Sequence, residues 1–132
     1  MKRKGKFTIY KDIQKQYRFN LKGSNGRIIV FSEGYHNKKD CVNGISVVKE
    51  WAIKYTKDSA QNYIWVRKSK NEQYYFVIKS TNGKKVAISE TYKTLTAAKH
   101  GQITVSEIAA DAKIVNTTGF ISNIIKLFTI TE

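Results

Sequence analysis

Shifted by 57 positions, the chain lies over itself, and no other feature constrains its fold as much. The shift places Gln16-Tyr17-Arg18-Phe19-Asn20-Leu21-Lys22 on Gln73-Tyr74-Tyr75-Phe76-Val77-Ile78-Lys79, and Asn25-Gly26 on Asn82-Gly83. It also places Ser32-Glu33-Gly34-Tyr35 on Ser89-Glu90-Thr91-Tyr92, then Gly44 on Gly101, Val48 on Val105, Glu50 on Glu107 and Ala52 on Ala109. A gapless match over about 45 residues marks a duplicated supersecondary unit. Each copy holds about 50 residues, too few to bury a sufficient core alone. The copies are therefore expected to share one interior. The reading is a single compact domain over 1–132, with repeat one at 5–54, a linker at 55–61, repeat two at 62–109 and a C-terminal extension at 110–132.

Within repeat one, Phe7 and Ile9 alternate with Thr8 and Tyr10, the period of a half-buried strand. Asp12 to Lys15 reads as a turn. Tyr17, Phe19 and Leu21 then share one face, Asn25-Gly26 signals a hairpin, and Ile29 and Phe31 carry the same face into a third strand. Ile28 and Val30 leave the opposite face apolar as well. After Tyr35 the period changes to that of a helix, with Cys41, Ile45, Val48 and Ala52 on one stripe and Asn37 as its N-cap. Gly44 weakens such a helix, and a close approach of the helix to the sheet would justify it. Repeat two follows the same plan through Ile64 and Val66, Tyr74, Phe76 and Ile78, then Val86 and Ile88. Thr94 takes the cap position, and Ala98, Gly101, Val105 and Ala109 form the stripe. The predicted fold class is α+β: two β-β-β-α repeats related by a pseudo-twofold axis, with helices on one face of an antiparallel sheet. A continuous six-stranded sheet is preferred over two stacked ones.

The other face of that sheet is expected to carry Thr8, Tyr10, Arg18, Asn20, Ile28 and Val30 from repeat one. Repeat two contributes Trp65, Arg67, Tyr75, Val77 and Ala87. This is too aromatic for a plain solvated surface. Another subunit, in a homodimer, or the apolar tail is the expected cover. In the tail, Ile121, Ile124, Ile125 and Phe128 have helical spacing after Gly119, alongside Phe120, Leu127 and Ile130.

The formal charge of +14 comes from twenty lysines and four arginines spread along the chain. Such a charge gives nonspecific affinity for polyanions, whereas a dedicated phosphate groove favours arginine. No apolar run approaches the length of a membrane span, and Lys6 interrupts the segment after the basic start Met1-Lys2-Arg3-Lys4. No integral membrane association is expected. The single cysteine, Cys41, excludes an internal disulfide framework and fits a reducing, cytoplasmic setting.

Catalytic candidates are sparse. His36 and His100 fall at non-equivalent positions of the repeat, and Cys41 lies on the apolar stripe opposite Ala98 of the other copy. A Cys41–His36 pair lacks an evident third group to orient the base, and no zinc site assembles from these residues. Glu33 and Glu90 are better placed, because Ser-Glu-x-Tyr recurs in both copies. At a strand-to-helix junction, however, a serine and a carboxylate are expected to satisfy backbone N–H groups and fix the turn. Neither catalytic residues, cofactor nor metal is expected.

With these residues laid out, the chain resembles the YegP-like family of small tandem-repeat proteins. The likeness rests on Gly5-Lys6-Phe7-Thr8-Ile9-Tyr10-Lys11-Asp12, Tyr17-Arg18-Phe19-Asn20-Leu21-Lys22, Ser32-Glu33-Gly34-Tyr35 and Cys41-Val42-Asn43-Gly44-Ile45. It covers residues 5 to about 109. Repeat two departs from the pattern at Thr91, Ala98, His100 and Gln102. The resemblance implies the β-β-β-α duplication and self-association, and brings no catalytic residue, cofactor or substrate. The function expected is that of a non-enzymatic interaction or structural module. The alternative is a sequence-nonspecific binder of single-stranded nucleic acid, using Tyr10, Arg18, Lys22, Trp65, Arg67, Tyr75 and Lys79.

Overall fold

Each repeat opens with two tight turns that its own side chains close. In the computed structural model, which describes residues 4–58 and 64–118, Asp12 Oδ1 accepts from the backbone N–H of both Gln14 and Gln16 at 2.9 Å. Lys15 takes the left-handed conformation there, as its equivalent Glu72 does in repeat two. Gly26 and Gly83, with φ of 81° and 85°, close the second turn of each copy, which is why Asn-Gly recurs. These turns join β1 (Lys6–Lys11), β2 (Tyr17–Lys22) and β3 (Ile28–Ser32), and likewise β4 (Ile64–Lys68), β5 (Tyr74–Lys79) and β6 (Lys85–Ser89).

Two helices follow the meanders, α1 (Lys38–Asp58) and α2 (Leu95–Ala109). Asn37 Oδ1 caps α1 by accepting from the Asp40 N–H at 2.8 Å, and Thr94 Oγ1 caps α2 from the Ala97 N–H at 3.0 Å. Both stripes are buried as the spacing predicts: Cys41, Ile45, Val48 and Ala52, then Ala98, Gly101, Val105 and Ala109. Trp51 and Tyr55, one helical turn apart with rings 5.3 Å between centroids, carry α1 past Lys54. Gly44 and Gly101 have a specific cause. A Cβ at Gly44 would strike the Tyr35 hydroxyl and approach Phe19 Cε2 to 3.0 Å, and one at Gly101 would strike the Tyr92 hydroxyl. The rings of the two Ser-Glu-x-Tyr tyrosines thus occupy the gap between helix and sheet.

All the strands join one sheet in the order β4-β5-β6-β3-β2-β1-β7. Its centre is the antiparallel pair β3–β6, with Val30 opposite Ser89, Phe31 opposite Ile88 and Ser32 opposite Ala87. The 57-residue shift maps this register onto itself, so the pseudo-twofold axis passes between Phe31 and Ile88. One buried cluster draws on both repeats, from Phe7, Phe19 and Leu21 to Phe76, Ile78 and Val105.

The structure corrects the expected faces of the central strands. Leu21 pairs with Val30 but Lys22 pairs with Ile28, leaving Ile29 as an extra residue; Val86 is extra in the same way between Ala87 and Lys85. Each β-bulge shifts the alternation by one residue. Ile29 stays in the core and Val30 joins it, while Phe31 turns to the opposite face at 40% exposure. Likewise Val86 and Ala87 are core, and Ile88 faces away beside Val77. The extension also contains a strand that the sequence reading lacks. This is β7 (Lys113–Asn116), which pairs in parallel with β1. The tail residues Phe120, Ile121, Ile124, Ile125, Leu127, Phe128 and Ile130 lie outside the described residues.

Candidate functional site

The duplicated motif Ser-Glu-x-Tyr proves to be a joint between the repeats. Ser32 Oγ accepts from the buried Phe19 N–H at 2.8 Å and donates to the Glu33 carbonyl at 2.8 Å. Ser89 does the same for Phe76 and Glu90, at 2.9 and 2.7 Å. The Glu33 N–H then donates to the Val86 carbonyl at 3.3 Å, and the Glu90 N–H to the Ile29 carbonyl at 3.1 Å. Each bulge carbonyl is therefore claimed by the other repeat. The carboxylates cross over too, Glu33 to Lys85 Nζ at 3.1 Å and Glu90 to the Arg27 guanidinium. Tyr35 and Tyr92 finish the joint by pairing with the backbone of Tyr17 and Tyr74.

Cys41 is fully buried, and burial pushes its thiol up to about 11. A nucleophile needs the reverse shift. Among the described residues, no group of three His, Cys, Asp or Glu side chains is placed to hold a metal ion. No helix among them is long and apolar enough to cross a membrane.

The face away from the helices is where unassigned chemistry collects. A groove of about 490 Å³ runs over repeat two, lined among others by Arg67, Tyr75, Val77, Lys79, Lys85 and Ile88. Three residues singled out from sequence, Arg67, Tyr75 and Lys79, thus share one concavity. Arg67 and Tyr75 stand opposite each other on β4 and β5. Trp65 lies in register with Val77, and its side chain falls outside the described set.

Tyr10, Arg18 and Lys22 occupy the equivalent area of repeat one, beyond β3 and β6, so the sheet does not gather all seven residues together. There the cross-strand pair is inverted, with tyrosine on the first strand and arginine on the second: Tyr10 faces Arg18 where Arg67 faces Tyr75. Arg18 is occupied. Its Nε donates to Asp12 Oδ2 at 2.7 Å and its Nη1 to the Ser32 carbonyl at 3.2 Å. The bond from Arg18, then those from the Gln16 and Gln14 N–H groups, hold the Asp12 carboxyl below its ordinary range. Repeat two has Ser69 in place of Asp12, so its groove lacks that acid.

Between the two areas sits Phe31, which sequence reading assigned to the core. Ile88, Lys85, Lys6 and Lys113 complete the face and were also missed. Ile88 and Lys85 depend on the bulge in β6, and Lys113 on pairing of β7 with β1.

The family model described as "Domain of unknown function (DUF1508)" matches residues 12–64 and again 69–116, one match per repeat. A UPF0339 protein in the ptx operon 5′ region of Stutzerimonas stutzeri is 36% identical over 112 residues, covering 84% of this chain and 95% of its own. A UPF0339 protein of Treponema denticola is 46% identical over 46 residues, 35% of this chain but 79% of its own, so one repeat nearly fills it. The solution structure of the protein of unknown function YegP from E. coli superposes with a TM-score of 0.77 at 26% identity, over 87% of this chain and 94% of that one.

Proposed function

This chain belongs to the UPF0339/YegP family, and on that premise we propose that it is a non-enzymatic binding module. Its docking surface is the sheet face away from the helices, and its partner is acidic. One observation carries the reading: that face holds the groove of about 490 Å³ with Arg67 and Lys79 around Tyr75 and Ile88, next to the exposed ring of Phe31. Apolar centre and charged rim form the usual pattern of a recognition surface. A second copy of a chain with net charge +14 would meet this face with like charge, so a homodimer there is disfavoured and an anionic partner favoured. The non-enzymatic part draws support from Glu33 and Glu90. As the carboxylates best suited to acid–base work, they are committed to Lys85 and Arg27 at the joint.

A second reading makes the partner single-stranded nucleic acid. It is favoured by Tyr75 lying opposite Arg67 with Lys79 in the same groove, a stacking ring beside cations for the backbone. Amide chemical shifts, followed by NMR during titration with a short oligodeoxythymidylate and separately with polyglutamate, test both. Shifts concentrated in the strands of the sheet, β1 to β7, are expected. Shifts spread equally over the helix lysines Lys38, Lys39 and Lys99 would overturn the docking surface. The nucleic-acid reading further requires Tyr75→Ala and Trp65→Ala to weaken the oligonucleotide while leaving polyglutamate unaffected.

A further inference from the structure

Outside the groove, three neighbouring strands bring like charges into line. Lys113 on β7 is level with Lys6 on β1, and Lys6 is level with Lys22 on β2. Their neighbours Phe7 and Leu21 are fully buried toward the helices, so strand alternation sets the lysines on the opposite face. At the usual spacing of neighbouring strands the row is about 10 Å long. Like charges directly across a sheet oppose its formation, and none of the three lysines takes part in an ion pair among the described residues. Two positions along the same strands, Thr8 and Asn20 stand opposite each other. Their Oγ1 and Oδ1 atoms are buried without hydrogen-bond partners, and Asn20 is only 7% exposed. Polar ground thus continues from the row toward the sheet centre, where such unpartnered atoms call for an explanation.

The structure assigns Lys6, Lys22 and Lys113 as a subsite for a chain of linked phosphates. Three evenly spaced point charges, without an ion pair among the described residues, match a linear anion of high charge density. Lysine ammonium groups serve phosphates as point charges and need no forked geometry. The cross-strand repulsion of the free protein is relieved when that chain lies along the row. This deepens the proposed binding module, because it names the anion and its position on the same face. The same chemistry is offered by inorganic polyphosphate and by a nucleic-acid backbone.

The test uses the full chain and two ligands separately, inorganic polyphosphate and a short oligodeoxythymidylate, across a range of salt. The row variant K6Q/K22Q/K113Q is compared with K38Q/K39Q/K99Q, which removes the same charge from exposed helix positions. The row variant should bind at least about tenfold more weakly at low salt, with a log–log salt slope smaller by about two, while the control stays within about twofold. K6R/K22R/K113R should retain binding, which separates lost charge from lost structure. Without ligand, the row variant should melt at or above the wild-type temperature, since repulsion has been removed. Loss for both ligands assigns the subsite to phosphate chains in general, and loss for one identifies its source. Equal weakening by row and control variants would overturn the inference. If the row variant binds normally while R67Q/Y75A does not, the subsite fails and the groove reading stands. If neither variant matters, both fail.

Discussion

At the scale of single residues, Tyr35 and Tyr92 show how the two copies are tuned. Each ring packs where its helix carries a glycine, so the bulk missing from the helix is supplied from the sheet. Burial, the main cause, pushes both phenols up to about 12, helped at Tyr35 by Cys41, Glu33 and Asp40 and at Tyr92 by Glu90. The consequence for stability has a definite sign. In the unfolded chain these phenols ionise near pH 10, whereas the folded protein keeps them protonated to about 12. Between those values the unfolded state binds fewer protons, so stability is fully present below pH 10 and falls as pH rises toward 12. Urea midpoints measured across this range should drop more steeply for the wild type than for Y35F/Y92F. Parallel curves would show that these two side chains are not the buried titrating pair.

At the scale of elements, the β3 and β6 bulges set the architecture, and the serines beside them show how. The Phe19 N–H is buried, and Ser32 Oγ is its acceptor. Ser32→Ala strands that donor and should cost about 1–3 kcal/mol in urea unfolding. Ser46→Ala, on an exposed turn of α1, should stay within about 0.5 kcal/mol. Similar losses for both would remove the special role of the joint serine. Much at this scale was legible in the sequence, because turns and stripes are local. Asn25-Gly26, the Asn37 and Thr94 caps, and the buried line Cys41, Ile45, Val48 and Ala52 each follow from residues a few positions apart. The misread faces have a physical cause. Ile28-Ile29-Val30-Phe31 is apolar throughout, so a period of two cannot say which residue is extra, and the bulge is fixed by bonds from the other repeat. The strand β7 escaped for a related reason. Lys113-Ile114-Val115-Asn116 is too short to announce itself, and its partner lies at the far end of the chain. Arg67, Tyr75 and Lys79 share one groove on the face away from the helices, whereas Phe31 at the centre of that face and Lys6 and Lys113 at its edge were not visible in the sequence.

At the scale of the whole molecule, the two repeats complete each other. The helices rest on strands of both copies, α1 on β2, β5 and β6, and α2 on β3, β4 and β5. The buried cluster mixes residues from both halves. The joint is closed by reciprocal bonds, Glu33 N–H to Val86 and Glu90 N–H to Ile29. The most direct measurement is sedimentation equilibrium combined with urea unfolding on a fragment of residues 1–58. The fragment should be unfolded when dilute and gain structure only as it dimerises, with a midpoint that rises with concentration. A cooperatively folded monomer whose midpoint ignores concentration would contradict the shared core.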